Sequence, residues 1–63
     1  MKDFAGKVAV ITGAGSGFGR EFARIGASLG MKLVLADIQA DALAATASEL
    51  QARGVELVAE RVD

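Results

Sequence analysis

Four glycines stand within eight consecutive positions, residues 12–19, whose sequence is TGAGSGFG. This stretch follows an apolar run rich in β-branched residues and precedes a run with helical periodicity. The backbone approaches a phosphate group closely only where no Cβ intervenes. The first turn of a helix also presents unpaired N–H groups and the positive end of the helix dipole to an anion. The stretch therefore predicts a phosphate-binding turn between a strand and a helix.

The spacing of three of these glycines predicts a separate role for each. Gly13 permits the tight turn that leaves the strand, Gly17 permits backbone approach to a pyrophosphate, and Gly19 permits close packing of the helix on the strand. The hydroxyl of Ser16 either bonds a ribose or phosphate oxygen or belongs to an ordinary loop residue. No Gly-Lys-Ser or Gly-Lys-Thr follows, so the turn lacks the lysine and the magnesium ligand of nucleoside triphosphate hydrolases.

An acidic residue, Asp37, ends the next apolar run, eighteen residues after Gly19. A carboxylate at this place accepts hydrogen bonds from the 2′- and 3′-hydroxyls of an adenine ribose and repels the 2′-phosphate of NADP. Ile38 and Gln39 follow Asp37, so no adjacent Lys or Arg offsets its charge. The sequence therefore predicts a dinucleotide site that prefers NAD to NADP. The alternative is that Asp37 only caps the following helix or ends a strand.

The hydrophobic pattern predicts five elements that alternate between strand and helix. They are a strand at 7–12, a helix at 17–29, a strand at 31–37, a helix at 40–53 and a strand at 55–62. This order is typical of the β-α-β-α-β half of a doubly wound α/β fold, the Rossmann fold with its parallel sheet. Right-handed crossovers place both helices on one face of the sheet. The other face is then uncovered, so we expect residues 1–63 to be an incomplete, partial NAD(P)-binding domain.

Each predicted helix has an apolar face. In the first helix, large apolar residues recur at spacings of four, three and four, which leaves the charged residues on faces that can stay in water. These apolar residues are Phe18, Phe22, Ile25 and Leu29. The apolar face of the second helix comprises Leu43, Ala47 and Leu50. Gly26, inside the first helix, predicts close packing of that helix on the sheet.

The composition excludes several classes of site. The 63 residues include no Cys and no His, which excludes disulfides, thiolate chemistry and ordinary zinc sites, and we expect no metal. Seven basic and eight acidic residues are interspersed, which predicts binding to neither nucleic acid nor a membrane surface. The apolar runs are too short to span a bilayer and the N-terminus does not read as a secretory signal, so we expect a cytoplasmic protein.

The chain resembles the opening of the short-chain dehydrogenases/reductases. The resemblance rests on Thr-Gly-x-x-x-Gly-x-Gly at 12–19 and on Gly-Lys-Val-Ala-Val-Ile at 6–11, and it extends to Asp37 and Asp63 at the ends of the second and third strands. It implies an NAD(P)-binding Rossmann domain, hydride transfer between an alcohol and a carbonyl compound, a small-molecule substrate and a homo-oligomer. In the family, the N–H group at the position of Phe18 faces the pyrophosphate, although Ile or Leu is more usual there.

Nine residues are candidates for cofactor binding. They are Gly13, Gly15, Ser16, Gly17, Phe18, Gly19, Asp37, Ile38 and Asp63. The last of these either lies near the adenine or is a solvated end.

No catalytic residue is predicted within the chain. The resemblance implies a catalytic Ser and a Tyr-x-x-x-Lys pair in a domain several times longer, whereas this chain contains no Tyr. The first hypothesis is therefore the N-terminal cofactor-binding segment of an NAD-dependent oxidoreductase, inactive by itself. The alternative is a non-catalytic dinucleotide-binding mini-domain that dimerises or docks a partner through its uncovered sheet face.

Overall fold

The computed structural model describes residues 4–62 as five alternating elements. They are β1 (Val8–Thr12), α1 (Gly17–Ser28), β2 (Lys32–Asp37), α2 (Ala40–Gln51) and β3 (Leu57–Arg61). The three strands are parallel, as the crossover helices require. This confirms the predicted β-α-β-α-β architecture and the α/β class.

The sheet has the order β1-β2-β3, so β2 is its central strand. Val10 pairs with Val34, which pairs with Val58, so the three valines form a row across the sheet. Leu33 and Leu35 point to the opposite face from Val34, because side chains alternate along a strand. Both leucines are fully buried against the helices. Both helices therefore cover the same face of the sheet, as predicted.

The other face of the sheet is uncovered in the described part of the chain. Val8, Val10 and Val58 on this face are 59%, 69% and 58% exposed. This confirms the expectation of an apolar face without a cover.

The second connection is longer than the hydrophobic pattern predicts. The predicted helix runs to residue 53 and the predicted strand begins at 55, whereas α2 ends at Gln51 and β3 begins at Leu57. The N–H groups of Arg53 and Val55 both donate to the Leu50 carbonyl, at 3.0 and 3.2 Å. These bonds form a turn at the end of α2, so residues 52–56 belong neither to α2 nor to β3.

The two helices bury different kinds of residue. In α2 the predicted apolar face is buried, since Leu43, Ala47 and Leu50 are at most 7% exposed. In α1, by contrast, the buried residues are Gly19, Ala23 and Gly26.

The four large apolar residues that the spacing places on one face of the first helix are exposed, so that face is not the one that packs on the sheet. Phe18 and Phe22 are 84% and 60% exposed, and Ile25 and Leu29 are also exposed. The backbone of α1 lies too close to the sheet for large side chains on the packed face, since a Cβ built on Gly26 would lie 3.0 Å from Leu33 Cδ2. Only small residues allow the backbone of α1 to come so near the sheet, which confirms the close packing predicted from Gly26.

Candidate functional site

The turn between β1 and α1 is held by the conformation of Gly13 and by its neighbours. Gly13 has a φ of +65°, which only glycine adopts without strain, and so confirms the tight turn predicted there. A Cβ on Gly19 would overlap the Gly13 carbonyl, so the start of α1 lies directly against the turn. A Cβ on Gly17 would meet nothing within 4 Å. The space in front of Gly17 is therefore open, as a ligand-facing position requires.

Ser16 is the N-cap of α1. Its Oγ accepts a hydrogen bond from the Gly19 N–H group at 3.2 Å and donates one to the Gly13 carbonyl at 2.7 Å. The hydroxyl has a single proton, which is used in the turn. Within residues 4–62, no acceptor meets the N–H groups of Gly17 and Phe18. These two groups, together with the helix dipole, are available to an anion.

Asp37 at the end of β2 contacts the same turn. Its Oδ2 accepts a hydrogen bond from the Gly15 N–H group at 2.7 Å, and its Oδ1 accepts one from the Gln39 N–H group at 3.0 Å. Bonds from the Gln39 and Gly15 backbones hold the pKa of Asp37 below its ordinary value, against the opposing effect of burial. The carboxylate is therefore ionised at neutral pH. One of its oxygens is bonded to the turn before α1 and the other to the backbone just before α2.

Gly15 is close to helix α2 as well as to Asp37. A Cβ on this residue would lie 2.6 Å from Ala42 Cβ and 3.0 Å from Asp37 Oδ2. No larger residue fits here, so Gly15 is needed for packing as much as for any contact with a ligand. The spacing of the glycines did not predict this role.

A cleft of about 290 Å³ lies where the three strands end. It is lined by Thr12, Gly13, Ala36, Asp37, Ile38 and Val62. Ligands of open parallel α/β sheets bind at the carboxyl ends of the strands. The cleft therefore contains Gly13, Asp37 and Ile38 of the predicted set, while the predicted Asp63 lies outside the described residues. Thr12, Ala36 and Val62 were not predicted, although their places at or next to strand ends could have identified them.

Arg61 brings a positive charge near the cleft. It pairs with Asp37 in the register of β2 and β3, and its Nε donates a hydrogen bond to the Ile38 carbonyl at 3.0 Å. Arg61 is distant from Asp37 along the chain, so the residues adjacent to Asp37 do not indicate it. The register of the parallel strands is the signal that could have found Arg61.

Thr46 is the other contact that the sequence analysis missed. It is fully buried on the apolar face of α2, and its Oγ1 lies 2.9 Å from the Ala14 carbonyl oxygen. A hydroxyl group among the apolar residues of that face is the one signal that could have found it.

A cluster of ion pairs joins the two helices beside the turn. Arg24 binds Glu49 through Nε at 2.7 Å and Nη2 at 2.9 Å, and Arg20 lies 3.5 Å from the same carboxylate. The hydrogen bonds from Arg24 hold the pKa of Glu49 below its ordinary value. This cluster joins α1 to α2 and is a structural feature rather than part of the cleft.

Two other kinds of site are not found in the described chain. Residues 4–62 contain no cluster of acidic side chains that could hold a metal ion. None of their helices has the length and apolarity needed to cross a membrane.

The glycine-rich turn and the strand-end carboxylate have counterparts in known proteins. A family model described as short chain dehydrogenase matches residues 7–63. The chain belongs to the short-chain dehydrogenase family. The match includes the glycine-rich turn and Asp37, so the resemblance inferred from the sequence is confirmed.

Curated relatives in this family are oxidoreductases. SadH of Mycobacterium tuberculosis, a proposed oxidoreductase, is 48% identical over all 63 residues, which cover 23% of its length. The 7alpha-hydroxysteroid dehydrogenase of Escherichia coli K12 is 45% identical over 58 residues, 92% of this chain and 23% of that enzyme. The chain thus spans about a quarter of the length of these relatives.

Solved structures of the family agree with the fold. A short chain dehydrogenase/reductase from Burkholderia phymatum in complex with NAD is 65% identical, with a TM-score of 0.95 over 100% of this chain and 22% of that one. A metagenomic short-chain oxidoreductase in complex with NADP is 37% identical, with a TM-score of 0.87 over 98% of this chain and 28% of that one. Members of the family similar to this chain therefore bind NAD or NADP.

Proposed function

We propose that this chain is the cofactor-binding N-terminal segment of an oxidoreductase that uses NAD to transfer hydride between a small alcohol and the corresponding carbonyl compound. The single observation that carries the proposal is the ionised carboxylate of Asp37, hydrogen-bonded to the glycine-rich turn. One ligand with a diol and a pyrophosphate fits both features. NAD supplies the hydride acceptor when it is bound, and the residues of this chain bind and orient it.

We assign different parts of NAD to different residues of the chain. The N–H groups of Gly17 and Phe18 meet the pyrophosphate, Asp37 accepts hydrogen bonds from the adenine ribose, and Ile38 contacts the adenine. Ile38 is 57% exposed and lines the cleft, so it offers apolar surface to a ring. We assign Asp63 to the adenine as well, from its place after β3. The other candidates, Gly13, Gly15, Ser16 and Gly19, shape the turn.

We propose NAD as the cofactor rather than NADP. A 2′-phosphate would lie against the charge of Asp37, whose pKa is already lowered. Arg61 is the cation that could offset this charge. Its Nε–H is already bonded to the Ile38 carbonyl, which supports a role in holding the connection between β2 and α2.

The segment itself is proposed to be inactive. It contains no Tyr, His or Cys that could move a proton near neutral pH, and its carboxylates are assigned to the cofactor or to the surface. We propose that the general acid and base and the contacts with an alcohol or ketone are supplied from outside this segment. We also propose that the whole protein is a homo-oligomer and is cytoplasmic. The comparisons give no support to the alternative, a stand-alone docking module.

Calorimetric titration of the whole gene product with NAD and with NADP tests the proposal. We expect NAD to bind at least about tenfold more tightly, the ratio that corresponds to about 1.4 kcal/mol. Asp37→Asn removes the charge at nearly constant shape and should remove most of this preference. Asp41→Asn, which neutralises an exposed acid on α2, is the matched control and should keep it. Tighter binding of NADP to the unaltered protein would overturn the assignment of the cofactor.

A second experiment tests the claim about the segment. The isolated 63-residue chain is incubated with NAD and a panel of alcohols, and NADH is followed by its absorbance. We expect no rate above that of a sample without protein.

A further inference from the structure

The peptide unit between Ala14 and Gly15 is hydrogen-bonded at both of its polar ends. Its carbonyl oxygen, on Ala14, lies 2.9 Å from Thr46 Oγ1. Its N–H group, on Gly15, donates to Asp37 Oδ2 at 2.7 Å. One peptide plane in the phosphate turn therefore connects a hydroxyl of helix α2 with the carboxylate predicted to bind the ribose.

Thr46 is well placed to fix this plane. The residue is fully buried between Leu43 and Leu50 on the packed face of α2, so its side chain has little freedom. Its hydroxyl has one proton and two nearby acceptors, the Ala14 carbonyl at 2.9 Å and the Ala42 carbonyl at 3.3 Å. The shorter contact is the one across the structure. Among the described residues, Thr46 is the only donor to the Ala14 carbonyl.

The rest of Ala14 is fixed by other contacts. Its side chain is fully buried in the core, and its N–H group donates to the Ala36 carbonyl at 3.0 Å. What remains free to rotate is the plane that follows Ala14. Rotation would bring the Ala14 carbonyl towards the Asp37 carboxylate, where two negative oxygens repel each other.

We propose that Thr46 is a positioning residue for the nucleotide site. Its hydroxyl holds the Ala14–Gly15 peptide so that the Gly15 N–H group faces Asp37, and this bond holds the Asp37 carboxylate in the orientation that meets the ribose. The effect on NAD rests on the proposed function, whereas the effect on the peptide plane does not.

Nuclear magnetic resonance of the whole protein without ligand tests the peptide plane. A short hydrogen bond to a carboxylate shifts an amide proton downfield, so the Gly15 amide proton should be strongly downfield in the unaltered protein. Thr46→Val removes the hydroxyl at nearly constant shape and should abolish this shift, whereas Thr46→Ser should retain it. An unchanged Gly15 amide shift in Thr46→Val would overturn the proposal.

Thr46→Val leaves a buried carbonyl without a donor and could prevent folding. In that case the proposal is tested by hydroxyl-proton exchange in the unaltered protein and in Thr46→Ser. We expect the hydroxyl proton of residue 46 to exchange slowly with water in both proteins, because it is held on the Ala14 carbonyl. A hydroxyl proton that exchanges as fast as an exposed one contradicts the proposal.

Calorimetric titration with NAD completes the test. We expect Thr46→Val to weaken NAD binding by about five- to tenfold, the usual consequence of one lost hydrogen bond, and Thr46→Ser to restore it. Ser48→Ala, which removes an exposed hydroxyl from the same helix, is the matched control and should bind NAD as the unaltered protein does.

The two experiments separate the two ways of failing. If the unaltered protein does not bind NAD but its Gly15 shift depends on Thr46, the proposed function fails and the positioning role in the turn stands. If NAD binds equally to Thr46→Val and the unaltered protein, the role of Thr46 in the nucleotide site fails and the proposed function stands.

Discussion

The two helices begin in different ways. The first turn of α1 has no acidic residue, and Ser16 caps it while the N–H groups of Gly17 and Phe18 find no acceptor within residues 4–62. The first turn of α2 has Asp41, and its N-cap residue, Gln39, makes no side-chain cap bond. An acid in the first turn compensates the positive end of a helix dipole. The α2 helix thus supplies its own anion, whereas α1 does not, and we propose that a ligand supplies the anion there.

The difference extends to the glycines. The glycines of residues 12–19 are of two kinds: some lie against other backbone atoms, and others face open space. Gly19 is of the first kind and Gly17 is of the second. A helix start that binds an anion therefore needs two separate properties: a tightly packed base and an open front.

The largest effect should come from Gly19→Ala. The new Cβ would overlap the Gly13 carbonyl, which is rigid backbone, so the turn must move. We expect a loss of about 3 kcal/mol in the free energy of unfolding, measured by urea denaturation of the whole protein. Gly17→Ala is the matched control, since its Cβ meets nothing within 4 Å.

The Gly17→Ala variant should separate binding from folding. We expect its free energy of unfolding to stay within about 1 kcal/mol of the unaltered value, since alanine favours a helix over glycine. Its affinity for NAD should nevertheless fall, because the methyl group stands where the pyrophosphate approaches. Unchanged NAD affinity in this variant would show that the front of the turn is not the phosphate site.

The next effect should come from making α1 begin as α2 does. Phe18→Asp places an acid in the first turn of α1, at a side chain that is 84% exposed and so makes few contacts. The helix should gain about 0.3–1 kcal/mol from the dipole, while NAD binding should weaken because the new charge repels the pyrophosphate. Phe18→Asn, of the same shape without the charge, is the control. Equal NAD affinity in the two variants would contradict an anion site at α1.

The fold was predictable because it depends on local periodicity. Short apolar runs identified the strands, and the i, i+4, i+7 pattern of Leu43, Ala47 and Leu50 identified the packed face of α2. The same reasoning failed for α1, because periodicity shows which residues share a face but not what covers that face. Gly26 held the better signal, since a small residue marks where a helix lies nearest to a sheet.

The site was predictable only as far as it is local. The glycine turn and Asp37 are recognisable from spacing, and the contact of Asp37 with Gly15 follows once β1 and β2 lie side by side. Thr46 and Arg61 were missed because they reach the site through the packing of α2 and the register of β3. Neither relation has a spacing that can be read along the chain.

The pH dependence of the site tests its electrostatics. Backbone hydrogen bonds lower the pKa of Asp37 in the folded state, so its stabilising contribution is complete above the unfolded pKa of about 3.8 and is lost as the pH falls through the lower folded value. We expect the Gly15 amide shift to stay constant from pH 7 to about pH 5 and to move upfield only below about pH 4. Asp37→Asn should show no such transition. Hydrogen bonds from Arg24 also lower the pKa of Glu49, but this carboxylate is bonded to Arg24 rather than to the turn, so Glu49→Gln should leave the transition in place.

The smallest effect should come from removing the acid that begins α2. Asp41→Asn takes away the charge that compensates the dipole of α2, and we expect the free energy of unfolding to fall by about 0.3–1 kcal/mol. NAD affinity should not change, because the anion site lies at the start of α1. Urea denaturation and calorimetric titration of the same variant measure the two quantities. Addition of 1 M NaCl should remove most of the difference in stability, because salt screens an exposed charge. A variant that loses NAD affinity together with stability would show that both helix starts contribute to the ligand site, and that the division between α1 and α2 is wrong.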